Sequence, residues 1–241
     1  MELNDLRVLV TGATAGIGRE TAKLFARRGA TVVATGRNAE RGEQTVAAIV
    51  AEGGQAEFLA ADMNDPRSVR RLADQVGEID VLVNNAAVFP FAPTLEQDID
   101  SFDMMFAINV RGPFFLTAAL LPKMIARGSG AIVNVSTAAA SASLPEAPVY
   151  GATKAALTHL SASLRADLAP YDVRVTNIEP GLTDTELATH LDAPGQDLIA
   201  SMNEQIGPLH ADDIADVVTF AVSRRRELNL RQIVALPTRQ A

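Results

Sequence analysis

No cysteine and no tryptophan occur among the 241 residues, tyrosine appears twice and histidine three times. Without thiols there is no disulfide framework and no thiolate metal site, which suits a reducing cytosol. His159, His190 and His210 are scattered and follow no ligand spacing, so no metal is expected. No apolar run approaches the roughly 20 residues of a membrane span. Met1-Glu2-Leu3-Asn4-Asp5 leads directly into an apolar strand, without the basic and hydrophobic regions of a secretion signal. A cytoplasmic protein with no membrane attachment is the expectation. Positive charge is also scarce: 21 Lys and Arg stand against 29 Asp and Glu, a net −8. Nucleic-acid backbones reward clustered Lys and Arg, so they are not expected partners. The one basic run, Arg224-Arg225-Arg226, reads as a solvated helix end.

What is present is 48% hydrophobic residues, enough for one substantial core, and neither repeat nor long linker divides the chain. Residues 1–241 therefore read as one domain. Short β-branched runs at Arg7 to Val10, Thr31 to Ala34, Ala56 to Ala60, Asp80 to Val83, Ala131 to Val135, Arg174 to Ile178 and Gln232 to Ala235 read as seven strands, most of them separated by segments long enough for a covering helix. That alternation predicts an α/β fold: a Rossmann-like, doubly wound, predominantly parallel seven-stranded sheet with helices on both faces. Ligands of such sheets bind outside the carboxyl ends of the strands, where strand order reverses. Residues 184–208 are polar, contain Pro194 and Gly195, and interrupt the alternation; they read as a mobile lobe over the substrate.

Three stretches carry chemistry. After the first strand, Thr11-Gly12-Ala13-Thr14-Ala15-Gly16-Ile17-Gly18 opens an amphipathic helix that stops at Gly29. Glycines permit a sharp turn and close approach of a ligand, and a helix N-terminus offers free N–H groups to phosphate. In Val149-Tyr150-Gly151-Ala152-Thr153-Lys154, four-residue spacing puts the phenol and the ammonium on one helix face. A cation at roughly 4 Å favours the phenolate of a tyrosine whose ordinary pKa is near about 10, which would suit it to proton transfer. In Phe106-Ala107-Ile108-Asn109-Val110-Arg111-Gly112-Pro113, Pro113 has no N–H for the carbonyl four residues back, so Asn109 is expected to present a free carbonyl at a kink.

In order and spacing these motifs, together with Asn84-Asn85-Ala86-Ala87 and Pro180-Gly181-Leu182-Thr183-Asp184-Thr185, resemble the classical short-chain dehydrogenase/reductase family over essentially the whole chain. The resemblance implies a nicotinamide dinucleotide held by Gly12, Thr14, Gly16, Ile17, Gly18, Asp62, Met63, Asn85, Ala86, Tyr150, Lys154, Pro180, Gly181, Thr183 and Thr185. Asp62 has the alternative role of a turn residue before Pro66, and Thr183 and Thr185 that of helix caps. It also implies catalysis by Tyr150, Lys154, Thr137 and Asn109, with hydride transfer to a carbonyl carbon and Tyr150 giving the proton. Thr137 stands where the family has its serine. Ser136 is the adjacent alternative, although strand alternation turns neighbours to opposite faces; Ser141 and Ser143 are further ones. Ala87 replaces a usual glycine.

At the end of the second strand, Gly36 stands where NAD-preferring relatives carry an acid, and Arg37 follows. An arginine there can hold a 2′-phosphate, so NADP(H) is the expected cofactor; an ordinary exposed turn residue is the alternative. Val88, Phe89, Pro90, Leu144, Pro145, Val149, Pro180, Leu182 and Leu187 are candidate pocket residues. They favour a lipophilic ketone, aldehyde or alcohol, unless they are core. The resemblance further implies a homo-oligomer, dimer or tetramer, built through the helices bearing Asn109 and Tyr150. A regulatory dinucleotide-binding protein without turnover, or an epimerase or dehydratase on the same site, are the rival readings.

Overall fold

The computed structural model describes residues 3–142, 147–187 and 193–240. Ser143, Leu144, Pro145 and His190 lie outside them. Seven strands, β1 (Arg7–Thr11), β2 (Thr31–Gly36), β3 (Gln55–Ala60), β4 (Val81–Asn84), β5 (Gly130–Val135), β6 (Val173–Pro180) and β7 (Gln232–Ala235), form one sheet in the order β3-β2-β1-β4-β5-β6-β7. Every neighbouring pair is parallel. This is the doubly wound, Rossmann-like arrangement, with the reversal of strand order between β1 and β4.

Parallel strands buried on both faces need apolar side chains at successive positions, and alternate residues of the strands feed two separate cores. Val8, Val10, Val32 and Ala34 pack with Phe25 and Ala22 of α1 (Gly16–Arg27), Ile49 of α2 (Ala39–Ala51) and Val218 of α8 (Ala211–Val222). Leu9, Val33, Leu82 and Val175 face the other way. They meet Leu72 of α3 (Pro66–Val76), Leu116 and Leu120 of α5 (Gly112–Arg127) and Leu168 of α6 (Pro148–Leu168). The two layers hold the sheet rigid and bring the carboxyl ends of β1, β2, β4, β5 and β6 to one edge.

The structure departs from the sequence expectation at three places. Between α4 (Ile99–Phe106) and α5, residues Ala107–Arg111 widen into π-helical register, and the Gly112 N–H reaches back five residues to the Ala107 carbonyl. The strain expected as a kink at Asn109 is thus spread over one broadened turn. The combined helix Ile99–Arg127 is long and apolar enough to cross a membrane, longer than the sequence reading of apolar runs allows. Half of its apolar window is buried inside the fold, where Leu116, Leu120 and Met124 join the core; it is a core helix. Residues 184–208, read as a polar lobe, include the helix α7 (Ala193–Ile206). Their base is closed by the Leu209 N–H donating to Leu182 O at 2.9 Å and the Asp184 N–H to Leu209 O at 2.8 Å.

Candidate active site

The glycine turn is held from behind by one hydroxyl. Thr11, last residue of β1 and 1% exposed, accepts the backbone N–H groups of Asn85 and Ala86, each at 3.0 Å, and donates to Val83 O. Asn85 returns the tie, its Nδ2 donating to Thr11 O at 2.9 Å and Gly12 O at 3.3 Å. The turn is thereby pressed onto the loop after β4, and only glycine fits. Gly12 has φ +67°, and a Cβ on it would lie 2.9 Å from Ala86 Cα; a Cβ on Gly18 would collide with the Gly12 carbonyl oxygen.

The start of α1 has no side-chain cap and no acidic residue in its first turn, whereas Asn38, Asp65 and Asp98 cap α2, α3 and α4. Its N–H groups and partial positive charge therefore suit an anionic ligand. Thr185 stands over this end, its Cβ 3.3 Å from where a methyl on Gly16 would be. Thr183 Oγ1 donates to Gly181 O at 2.9 Å. Ile17 packs beneath, against the first core. The cradle fits the diphosphate of a dinucleotide.

Toward β2, Thr14 packs over Gly36, where an added Cβ would lie 2.7 Å from Thr14 Cγ2. Arg37 is exposed. Beside it Arg41 pairs with Glu186, which also lies 3.9 Å from Arg19, so a carboxylate on the segment after β6 reaches across to α1 and α2. Asp62 makes the turn considered for it: Oδ1 accepts the Asn64 N–H at 2.8 Å. Met63 is buried and meets Gly112, which makes its side chain core and leaves only its backbone for a ligand.

At the other end, Tyr150 and Lys154 lie one turn apart on α6, both buried. The phenol ring stacks on Phe89 with centroids 4.2 Å apart, and Phe91, Met105, Val88 and Val149 complete an apolar cluster. Lys154 Nζ donates to Val135 O at 2.8 Å and lies 5.8 Å from the ring centroid. The sequence reading has the ammonium drawing the phenol down. Burial dominates instead: it raises Tyr150 well above the tyrosine range and lowers Lys154 to about 8, because each charged form loses water, and the one hydrogen bond of Lys154 to Val135 O does not make up for it.

Ser136 and Thr137 do point apart. The Ser136 hydroxyl turns inward and donates to Lys154 O at 3.0 Å, while Thr137, half-buried, donates to Pro180 O at 3.3 Å. Ser136 is thus committed to the packing of α6. Asn109 is 1% exposed and uses its side chain as a clamp. Oδ1 accepts the Val88 N–H at 2.9 Å, while Nδ2 donates to Val88 O at 3.0 Å and Thr153 Oγ1 at 3.1 Å. It fixes the loop carrying Phe89 against α6. Gly181 N–H donates to Ala235 O, and Gln240 Oε1 accepts the Leu182 N–H at 2.8 Å, so the C-terminal residues steady the Pro180-Gly181 turn.

Ser136 is named from the sequence only as the alternative to Thr137, and Thr11, Thr158, whose hydroxyl lies 2.9 Å from Ser136 Oγ, and the Arg41–Glu186 pair are not singled out there. Only Thr11 leaves a signal there, as a hydroxyl ending an apolar strand immediately before a glycine.

A family model for short chain dehydrogenases matches residues 7–195. Serine 3-dehydrogenase of Agrobacterium fabrum is 36% identical over 240 residues, covering 97% of this chain and 94% of that protein. The closed form of serine dehydrogenase complexed with NADP+ superposes with a TM-score of 0.91 at 30% identity, over 98% of this chain and 96% of the other. A short-chain dehydrogenase from Sphingobium yanoikuyae in complex with NADPH gives 0.83 at 28% identity, over 98% and 89%. With this fold, this site and these relatives, the chain belongs to the short chain dehydrogenase family.

Proposed function

We propose that the protein is an NADP(H)-dependent oxidoreductase that interconverts a lipophilic ketone or aldehyde and its alcohol, with Tyr150 as general acid and base. The observation that carries this reading is the buried Tyr150–Lys154 pair beside an apolar cluster, at the same sheet edge as the glycine cradle.

When bound, the reduced nicotinamide supplies a hydride to the carbonyl carbon. Tyr150, kept protonated by burial, donates its proton to the oxygen. Lys154, largely an ammonium below about pH 8, steadies the phenolate that results. In this reading Thr137 swings its hydroxyl from Pro180 O to orient the carbonyl, and Asn109 keeps the Val88–Phe89 wall in place. Gly12, Gly16, Gly18, Thr183 and Thr185 surround the diphosphate.

For the cofactor, Arg37 stands exposed with no partner among the described residues, and Gly36 offers no acid to repel a 2′-phosphate. The NADP+ and NADPH complexes of the two solved relatives point the same way. Cytoplasmic action as a homo-oligomer belongs to the same proposal, and exposed Phe102, Phe114 and Phe115 on α4 and α5 favour self-association. The likeness to serine 3-dehydrogenase favours a second reading, a small polar hydroxy acid as substrate.

Oxidation of NADPH and NADH at 340 nm against a panel of lipophilic ketones and aldehydes, and reduction of NADP+ with L-serine, separate these readings. Turnover of the lipophilic panel with NADPH at least tenfold above NADH is expected. Turnover of L-serine alone, or binding of NADPH without any turnover, contradicts the proposal.

A further inference from the structure

Among the described residues three ionisable side chains are buried, Tyr150, Lys154 and Glu179. The mechanism above uses the first two and not the third. Glu179, on β6, is 1% exposed and pairs with no described cation. A carboxylate so placed is costly unless hydrogen bonds hold it. Two do: Thr158 Oγ1 lies 3.0 Å and Asn177 Nδ2 2.9 Å from its Oε1.

These partners connect it to both halves of the reacting site. Thr158 follows Tyr150 and Lys154 at four-residue intervals on α6, so the three form one stripe. Its hydroxyl also lies 2.9 Å from Ser136 Oγ, which donates to the Lys154 carbonyl. On the strand side, Glu179 directly precedes Pro180, whose carbonyl accepts the Thr137 hydroxyl. Asn177, two residues earlier and on the same face, bridges Glu179 and Thr158.

We propose that Glu179 is a positioning residue, whose carboxylate sets the Tyr150–Lys154–Thr158 stripe of α6 against the ends of β5 and β6 and so keeps the phenol in register with Thr137. This rests on the reductase reading of the site. Hydrogen-bond acceptance at Oε1 is what matters. Glutamine keeps that acceptor.

The test compares Glu179→Gln, Glu179→Ala and Thr158→Val with the wild type, each quantified by NADPH-binding sites. Expected are a kcat at least tenfold lower for Glu179→Ala and Thr158→Val, with KM for the carbonyl and Kd for NADPH within about threefold. Glu179→Gln is expected to hold kcat within about threefold. Should Glu179→Ala fail to fold, Thr158→Val cuts the same link from the helix side. A kcat within twofold of wild type in both of these variants, or equal losses in Glu179→Gln and Glu179→Ala, overturns the proposal. If the wild type turns over no carbonyl, the reductase reading falls by itself. Amide exchange over residues 148–158 then decides this one: it rises in Glu179→Ala and not in Glu179→Gln if the proposal holds, and an equal response in both refutes it.

Discussion

Lys154 and Tyr150 share a helix face, yet their protonation is ruled by the apolar wall around them. Folding lowers Lys154 from 10.5 to about 8, so between those values the unfolded chain binds more protons at this site and stability rises with pH. The cost of holding the ammonium is fully present below about 8 and is relieved toward 10.5. Tyr150 acts in the opposite sense: its shift is upward, so its contribution is intact below the ordinary tyrosine range and fades in stronger alkali. Lys154→Met is therefore expected to unfold later in urea at pH 7, by roughly 1–3 kcal/mol, and to lose that advantage by pH 10. The same residue predicts that kcat/KM for reduction falls as pH rises through about 8. At Thr137 the expected order is wild type close to Thr137→Ser, with Thr137→Ala lower by about 10- to 1000-fold in kcat.

At the scale of elements, the glycine turn works because Thr11 and Asn85 press it onto the loop after β4. Thr11→Val removes the acceptor of two N–H groups while keeping the shape, and is expected to weaken NADPH binding by roughly tenfold and cost about 1–3 kcal/mol of stability. Fluorescence titration and urea unfolding measure the two. The strands themselves were legible in the sequence, since β-branched runs such as Val8–Val10 and Val32–Ala34 are buried on both faces and bounded by glycine and polar turns. Tyr150 and Lys154 were legible because four-residue spacing suffices to put side chains on one helix face. What was not legible depends on contacts between distant elements. Ser136 reaches α6, Glu186 reaches Arg41, and Asn109 spends its side chain on Val88; no local spacing encodes these. The broadened turn at Ala107–Arg111 was read as a kink because Pro113 signals a missing donor without specifying how the helix absorbs it.

For the whole molecule, the proposed cofactor site would join α1, α2, the loop after β4 and the segment after β6, so that occupancy would tie together parts from both layers. Binding to the folded form alone stabilises by about 2.7 kcal/mol at a hundredfold excess over Kd. For a chain of this size that corresponds to a rise in Tm of about 5–11 °C. NADPH is expected to give this rise at concentrations at least tenfold below NADH, and Arg37→Ala to remove most of the difference; thermal unfolding across a titration of each nucleotide measures both. Equal shifts with the two cofactors would transfer weight from Arg37 to NAD use. In the proposed reaction the apolar wall of Val88, Phe89, Phe91 and Val149 would govern which carbonyl can lie beside Tyr150, and oligomerisation through α4 and α5 would bury the aromatic residues that these helices expose.

The central claim is that Tyr150 donates the proton in an NADPH-dependent reduction. Its most direct test is the single-turnover rate of NADPH oxidation by wild type and Tyr150→Phe, with the best carbonyl substrate and with NADPH binding verified in both. The account predicts a rate lower by at least about 100-fold in the variant with NADPH affinity within threefold of wild type. A variant that reduces the carbonyl at the wild-type rate would contradict it.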